Sequence, residues 1–141
     1  NLETLLPLFR TRRQWSDRVV QLDLPVFPGY LFCRYASANK LQVLRTPGVL
    51  GAVAFGGSPQ PVPEQEIENL RAALNSGRRM EPCSLLRAGQ RVRLGAGPLR
   101  GVEGILQMVN GGHRVVVGVQ LLNRAVSVEV SEEDLIPVGV N

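Results

Sequence analysis

Arg10, Arg12, Arg13 and Arg18 fall within nine positions and surround Trp15, with Asp17 the one acid among them. Guanidinium forks suit phosphate oxygens, and an indole face offers a surface on which a base can stack. Together these residue types fit contact with a nucleic-acid single strand or a duplex backbone. The same stretch also fits a solvated turn between strands in which Trp15 anchors the loop to the core. Catalytic chemistry has far less to work with. His113 is the only histidine, Cys33 and Cys83 lie far apart, and the acids are scattered. No base, nucleophile or cluster of metal ligands can be assembled from these, so no enzyme, metal or cofactor is expected. His113 reads as a surface residue beside a turn, and the two cysteines read as unpaired.

The basic excess is modest. A net charge of +4 over 141 residues suggests a polyanionic neighbour, but fifteen of the sixteen basic residues are arginine, which a GC-rich genome explains as well as phosphate recognition does. A composition 44% hydrophobic and 20% charged is ordinary for a globular chain. No apolar run is long enough for a membrane helix and no secretory signal is visible, so the expected compartment is the cytoplasm.

Several elements must position these residues. Between Gly89 and Leu106, Val92 and Leu94 alternate with Arg91 and Arg93, and a corner follows that carries Gly95, Gly97, Pro98, Gly101 and Gly104 before the next strand at Ile105. The pattern predicts a hairpin with one buried and one wet face and a tight bend. His113 to Leu122 and Ala125 to Val130 predict a second strand pair joined by a two-residue turn at Asn123 and Arg124. In the latter run Val126, Val128 and Val130 alternate with Ser127 and Glu129, a half-buried pattern. With a closing strand at Leu135 to Val138, residues 86–141 should form about five short strands that curl closed.

Residues 76–85 lack an apolar period and carry Gly77 and Pro82, as a linker would. Before it, Pro63 opens a helix with Glu64, Glu66 and Glu68 at its positive end and an apolar stripe of Ile67, Leu70 and Leu74, closed by Gly77. Upstream, Leu2 to Leu8 predicts a strand entering an arginine loop. Tyr30 to Tyr35 predicts a strand with Tyr30 and Phe32 on one face and Leu31, Cys33 and Tyr35 on the other. Ser37 should cap a helix running through Arg45, which Thr46, Pro47 and Gly48 end, and Val49 to Phe55 should form another strand. The doubly apolar Tyr30 strand is either buried on both sides within its own domain or covered by a partner.

The glycine-rich corner from Gly89 to Leu106 resembles the KOW motif. Phe27-Pro28-Gly29-Tyr30-Leu31-Phe32, the Pro47-Gly48-Val49 turn with its strand ending in Phe55-Gly56-Gly57, and Pro61-Val62-Pro63 opening a helix resemble, in that order, the amino-terminal domain of the NusG family, its RfaH-like paralogues included. The resemblance implies an α+β chain. A ferredoxin-like amino-terminal (NGN) domain would occupy residues 1–75, residues 76–85 would be the linker, and a five-stranded SH3-like barrel would occupy 86–141. One feature departs from the family pattern: the strand carrying a Trp-Tyr pair and the helix that open the family's domain have no counterpart before Leu2. The expectation is a truncated or incompletely given chain, or a gap filled by another copy.

What the resemblance implies about function needs no bond-making. Tyr30, Phe32, Phe55, Ile67 and Leu70 match the face that grips a helical hairpin of the RNA polymerase clamp, although Ile67 and Leu70 could equally face the core. Arg10, Arg12, Arg13, Trp15 and Arg18 match the region lying toward the upstream or non-template DNA or toward the polymerase lobe opposite the clamp. Leu121, Leu122 and Arg124 match the turn with which the barrel engages a small-subunit ribosomal protein or the termination factor Rho. Such a protein bridges the polymerase cleft, suppresses pausing, and recruits a second factor through a tethered barrel. The competing reading is a KOW-containing ribosomal or RNA-binding protein.

Overall fold

The computed structural model describes residues 2–55 and 57–139, with the side chain of Phe55 outside that description. The chain is mixed α/β and mostly strands, with two helices longer than a single turn among the described residues. No helix among the described residues is long and apolar enough to cross a membrane.

The first half carries three separate two-stranded antiparallel ladders. Strand β1 (Glu3–Leu5) pairs with β4 (Phe32–Arg34). Strands β2 (Leu8–Trp15) and β3 (Arg18–Pro25) form a long hairpin around Ser16 and Asp17. The arginine stretch is therefore not a loop but paired strand, because residues 8–15 find an eight-residue partner in full register. Strand β4 is half the length expected. Gly29, at φ 86°, and the Tyr30 N–H bond to the Phe27 carbonyl (3.0 Å) make a turn that keeps Tyr30 out of the ladder.

Beyond β4, residues Ser37–Asn39 form a 3-10 turn that runs into α1 (Lys40–Leu44). Ser37 does not cap it: no side-chain cap bond forms at either start, and the helix reaches only five residues. The strand expected from Val49 shrinks to β5 (Ala54–Phe55), since only β6 (Ser58–Pro59) lies opposite to accept a ladder. Leu50 is fully exposed. Helix α2 (Glu64–Leu74) follows Pro63 as expected, with Glu64 and Glu66 in its first turn and Arg71 in its last. It is fastened to the β1·β4 ladder by charge: Arg71 meets Glu3 at 2.6 Å, and Arg34 pairs with both Glu3 and Glu64.

The second half is a six-stranded antiparallel sheet, ordered β12-β8-β9-β10-β11-β7. Five of these strands were expected: β8 (Arg91–Leu94), β9 (Glu103–Val109), β10 (Gly112–Val119), β11 (Arg124–Val130) and β12 (Leu135–Pro137). The sixth, β7 (Met80–Ser84), comes from the stretch read as linker and pairs with β11 from Met80↔Val128 to Ser84↔Arg124. Pro82, which marks a connection in most sequences, here lies within the ladder opposite Val126. Strand β7 is the edge of the sheet, where a residue without an N–H costs no ladder bond.

Local chemistry explains the remaining differences. Residues Gln120–Leu122 form a 3-10 turn and Asn123 adopts the left-handed region (φ 54°), so the β10–β11 connection is four residues and Arg124 already lies in β11. In β11, Ser127 is not on a wet face. It is 3% exposed and accepts a long hydrogen bond (3.4 Å) from Arg114, because the 83–86 segment covers the sheet's second face over Ile105, Val116 and Ala125. His113 is likewise half-buried, with its Nε2 4.0 Å from Glu132. At the corner, Gly101 (φ 88°) bonds back to the Leu94 carbonyl (2.8 Å), and a Cβ on Gly104 would run into the Val116 carbonyl. Val92 and Leu94 are buried and Arg91 and Arg93 exposed, as the alternation predicted. One apolar core joins Val26, Phe27, Leu70 and Ala73 to the valines of the sheet, with α2 packed on β10 and on the Gly97–Leu99 turn.

Candidate nucleic-acid and protein-binding surfaces

In the β2–β3 hairpin, alternation sorts the arginines onto two faces. Arg10, opposite Asp23, and Arg12, opposite Gln21, share one face; Arg13, Trp15 and Arg18 share the other. Arg10 bonds Asp23 at 3.4 Å and reaches Gln21 at 3.5 Å, with its side chain well exposed. An exposed pair of this kind is worth at most about 1 kcal/mol, so it holds Arg10 only loosely against a competing anion. Arg12, Arg13 and Arg18 make no ion pair among the described residues. Trp15 stands half-exposed beside the hairpin turn with the Arg18 guanidinium 5.8 Å from its ring centre. It does not anchor a loop to the core. The tip thus offers an aromatic plane and a delocalised cation side by side, above a strand of further guanidinium groups.

The apolar candidates divide. Tyr30 and Phe32 are half-buried and pack against the core, Phe32 edge-on to Phe27 at 5.9 Å. Ile67 is half-buried on α2. Leu70 is 1% exposed and belongs to the core, so it leaves the set of surface candidates: its helix face is already filled by the chain itself. The Phe55 side chain lies outside the described residues.

The β10–β11 turn lies against that same region. Arg87 braces it, donating to the side chains of Gln120 (2.7 Å) and Asn123 (2.8 Å). Leu122 packs against the common core and Leu121 is half-buried. The Arg124 guanidinium lies 5.7 Å from the centre of the Tyr30 ring. The sequence-predicted residues of two separate surfaces are therefore in contact, which no pattern in the chain announced. Glu66 also lies at this seam. Its Oε2 accepts the Gln120 backbone N–H at 3.3 Å, and its Oε1 is out of solvent with no hydrogen-bond partner among the described residues. Burial raises the Glu66 carboxyl above the ordinary range, and the Gln120 N–H opposes part of that rise. An open cleft of about 370 Å³ beside it is lined by Gln65, Asn69, Arg91 and Glu103, among others. Glu66, Gln120 and Arg87 escaped the sequence reading because their partners are 33 to 54 residues away.

No group of three His, Cys, Asp or Glu side chains among the described residues could hold a metal ion. Cys33 and Cys83 are free thiols, and Cys83 is pushed up by burial and by the Glu81 carboxylate, against a smaller pull from Arg114.

The model of a family described as transcription termination factor NusG matches residues 1–71. The chain is 31% identical over 135 residues to the transcription termination/antitermination protein NusG of Pseudomonas aeruginosa, covering 91% of this chain and 75% of that one. It is 24% identical over 132 residues to the protein of the same name from Rickettsia bellii, covering 92% and 69%. The chain therefore belongs to the NusG family, whose members are transcription factors and not enzymes.

Proposed function

We propose that this chain is an elongation and antitermination factor that binds RNA polymerase through the Tyr30 and Phe32 face of a ferredoxin-like amino-terminal module, with Phe55 and Ile67 completing the surface. The β2–β3 hairpin reaches the upstream or non-template DNA with Arg12, Arg13 and Arg18, and Trp15 supplies a stacking plane. The sheet from β7 to β12 is the SH3-like KOW barrel, and its turn at Leu121, Leu122 and Arg124 recruits a second factor, a small-subunit ribosomal protein or Rho. The division between modules then falls just before β7, near residues 76–79, and the working compartment is the cytoplasm.

The observation that carries this reading is the pair of half-buried aromatic rings, Tyr30 and Phe32, which pack against the core and keep solvent-facing edges. Rings of this kind are what protein interfaces use as anchors. Binding to two sides of the polymerase cleft stabilises the closed clamp over the swivelled one only by the difference in affinity for the two. A pause assay tests it: the chain should shorten pause lifetimes on a transcribing complex, and Phe32→Ala should abolish the effect while the protein remains folded. Unchanged pausing in the presence of saturating protein would refute the reading.

A further inference from the structure

The connection from β7 to β8, residues 85–90, is fixed on both sides of Arg87. Before it, Leu85 and Leu86 pack on Ile105, Val116 and Ala125, and Leu85 lies so close over Gly118 that a Cβ there would run into it. After it, Gly89 turns at φ 129° beside Ile105, and the Gln90 carbonyl accepts the Leu106 N–H at 2.9 Å. Arg87 is thereby delivered to the β10–β11 turn, where its two terminal nitrogens reach opposite ends. Nη1 donates to Gln120 Oε1 at 2.7 Å and Nη2 to Asn123 Oδ1 at 2.8 Å. A guanidinium is a rigid planar fork, so two such bonds fix the separation of the groups they join. The turn needs that support. Asn123 stands at φ 54°, and the backbone bond that closes the turn runs from its N–H to the Gln120 carbonyl at 3.0 Å.

We propose that Arg87 is the positioning residue of this turn, holding Leu121 and Leu122, which lie between its two acceptors, in the arrangement that the recruited factor recognises. The proposal rests on the reading of the Leu121, Leu122 and Arg124 turn as the recruiting surface. Ordering a turn before the partner arrives removes that cost from binding, and a turn that spends time in other shapes binds only in proportion to its competent fraction. Both acceptors are neutral amide oxygens and Arg87 makes no ion pair among the described residues, so its charge stays available at the surface. The alternative is a direct charge contact with an acidic partner. The two differ in what lysine can do, because lysine keeps the charge and lacks the fork.

Hydrogen exchange of the Asn123 amide, read by NMR on the intact chain, reports the turn, and affinity for purified small ribosomal subunits and for Rho reports recruitment. Arg87→Ala should speed Asn123 exchange about tenfold and weaken binding of the recruited partner by a similar factor, the size expected for losing hydrogen bonds to a charged donor. The denaturant midpoint should be unchanged, because Arg87 is exposed. Arg87→Lys should resemble Arg87→Ala in both readouts. Gln120→Ala removes one acceptor, and combining it with Arg87→Ala should cost less than the two single losses added together. Leu121→Ala, a direct contact in this reading, should weaken binding without a comparable change in Asn123 exchange.

Asn123 exchange indifferent to Arg87→Ala, full affinity in Arg87→Lys despite a loosened turn, or losses from Arg87→Ala and Gln120→Ala that simply add would each overturn the proposal. If Leu121→Ala weakens binding and Arg87→Ala does not, Arg87 has no positioning role and the recruiting surface stands. If neither variant weakens binding of either probe, the recruiting surface falls, and the role of Arg87 in it falls too.

Discussion

Leu70→Ala separates core from contact surface on α2. Leu70 is 1% exposed, between the aromatic cluster of the first half and the valines of the sheet. The substitution removes about three carbon groups at ~0.8 kcal/mol each, roughly 2.4 kcal/mol, before any cavity is counted. With partial collapse of the site the total should reach about 3 kcal/mol, within the roughly 2–5 kcal/mol range for buried leucine. For a chain of this size that lowers the melting temperature by roughly 10 °C. Urea unfolding followed by the fluorescence of Trp15 and by circular dichroism gives the loss directly. Ile67→Ala, at a half-exposed position on the same helix, should cost under about 1.5 kcal/mol. If Leu70→Ala changed stability by less than about 0.5 kcal/mol yet weakened polymerase binding, Leu70 would face a partner and the packing of α2 described above would be wrong.

Other expectations follow from the same geometry. Replacing Arg12, Arg13 and Arg18 by Ala should flatten the salt dependence of DNA binding, lowering the slope of log K against log salt by about 0.7 to 0.9 for each arginine that contacts phosphate; an unchanged slope would make the hairpin a merely solvated one. Gly104→Ala should destabilise the chain by about 1–3 kcal/mol in denaturant titration, because its methyl group meets the Val116 carbonyl rather than a movable side chain. Cys83 should be alkylated more slowly than a free thiol at pH 8, since its thiol is raised by burial and Glu81 and the thiolate is the reactive form; a rate equal to that of the unfolded chain would show that β7 is not held in the sheet. For the same reason trypsin should cut slowly after Arg79, whose carbonyl accepts the Glu129 N–H at 2.8 Å, and rapid release of a fragment beginning at Met80 would argue for a mobile linker instead.

What the chain reveals by pattern alone is uneven, for physical reasons. The Val92/Leu94 alternation and the glycine corner were legible, because period two and positive φ are local demands written into neighbouring residues. The α2 helix was legible from Pro63, its acidic first turn and its stripe. Strand β7 was not, since an edge strand tolerates the proline that otherwise signals a connection. Nor was the hairpin at Arg10 to Arg18, where polar side chains on both faces hide the alternation that marks a strand. Ser127 looked solvent-facing because alternation cannot tell that a distant segment, Leu85 and Leu86, returns to cover the second face. At the candidate site, residue types were visible but their meeting was not: Arg124 and Tyr30 are 94 positions apart, and only the fold brings them to 5.7 Å.

The most direct test of the polymerase-binding claim is site-specific photocrosslinking from position 32. A photoreactive phenylalanine analogue in place of Phe32, in the intact chain mixed with core RNA polymerase, should crosslink to the helical hairpin of the clamp, and excess unlabelled protein should suppress the product. Crosslinks that fall elsewhere on the polymerase, or none at concentrations where the protein still alters pausing, would contradict the assignment.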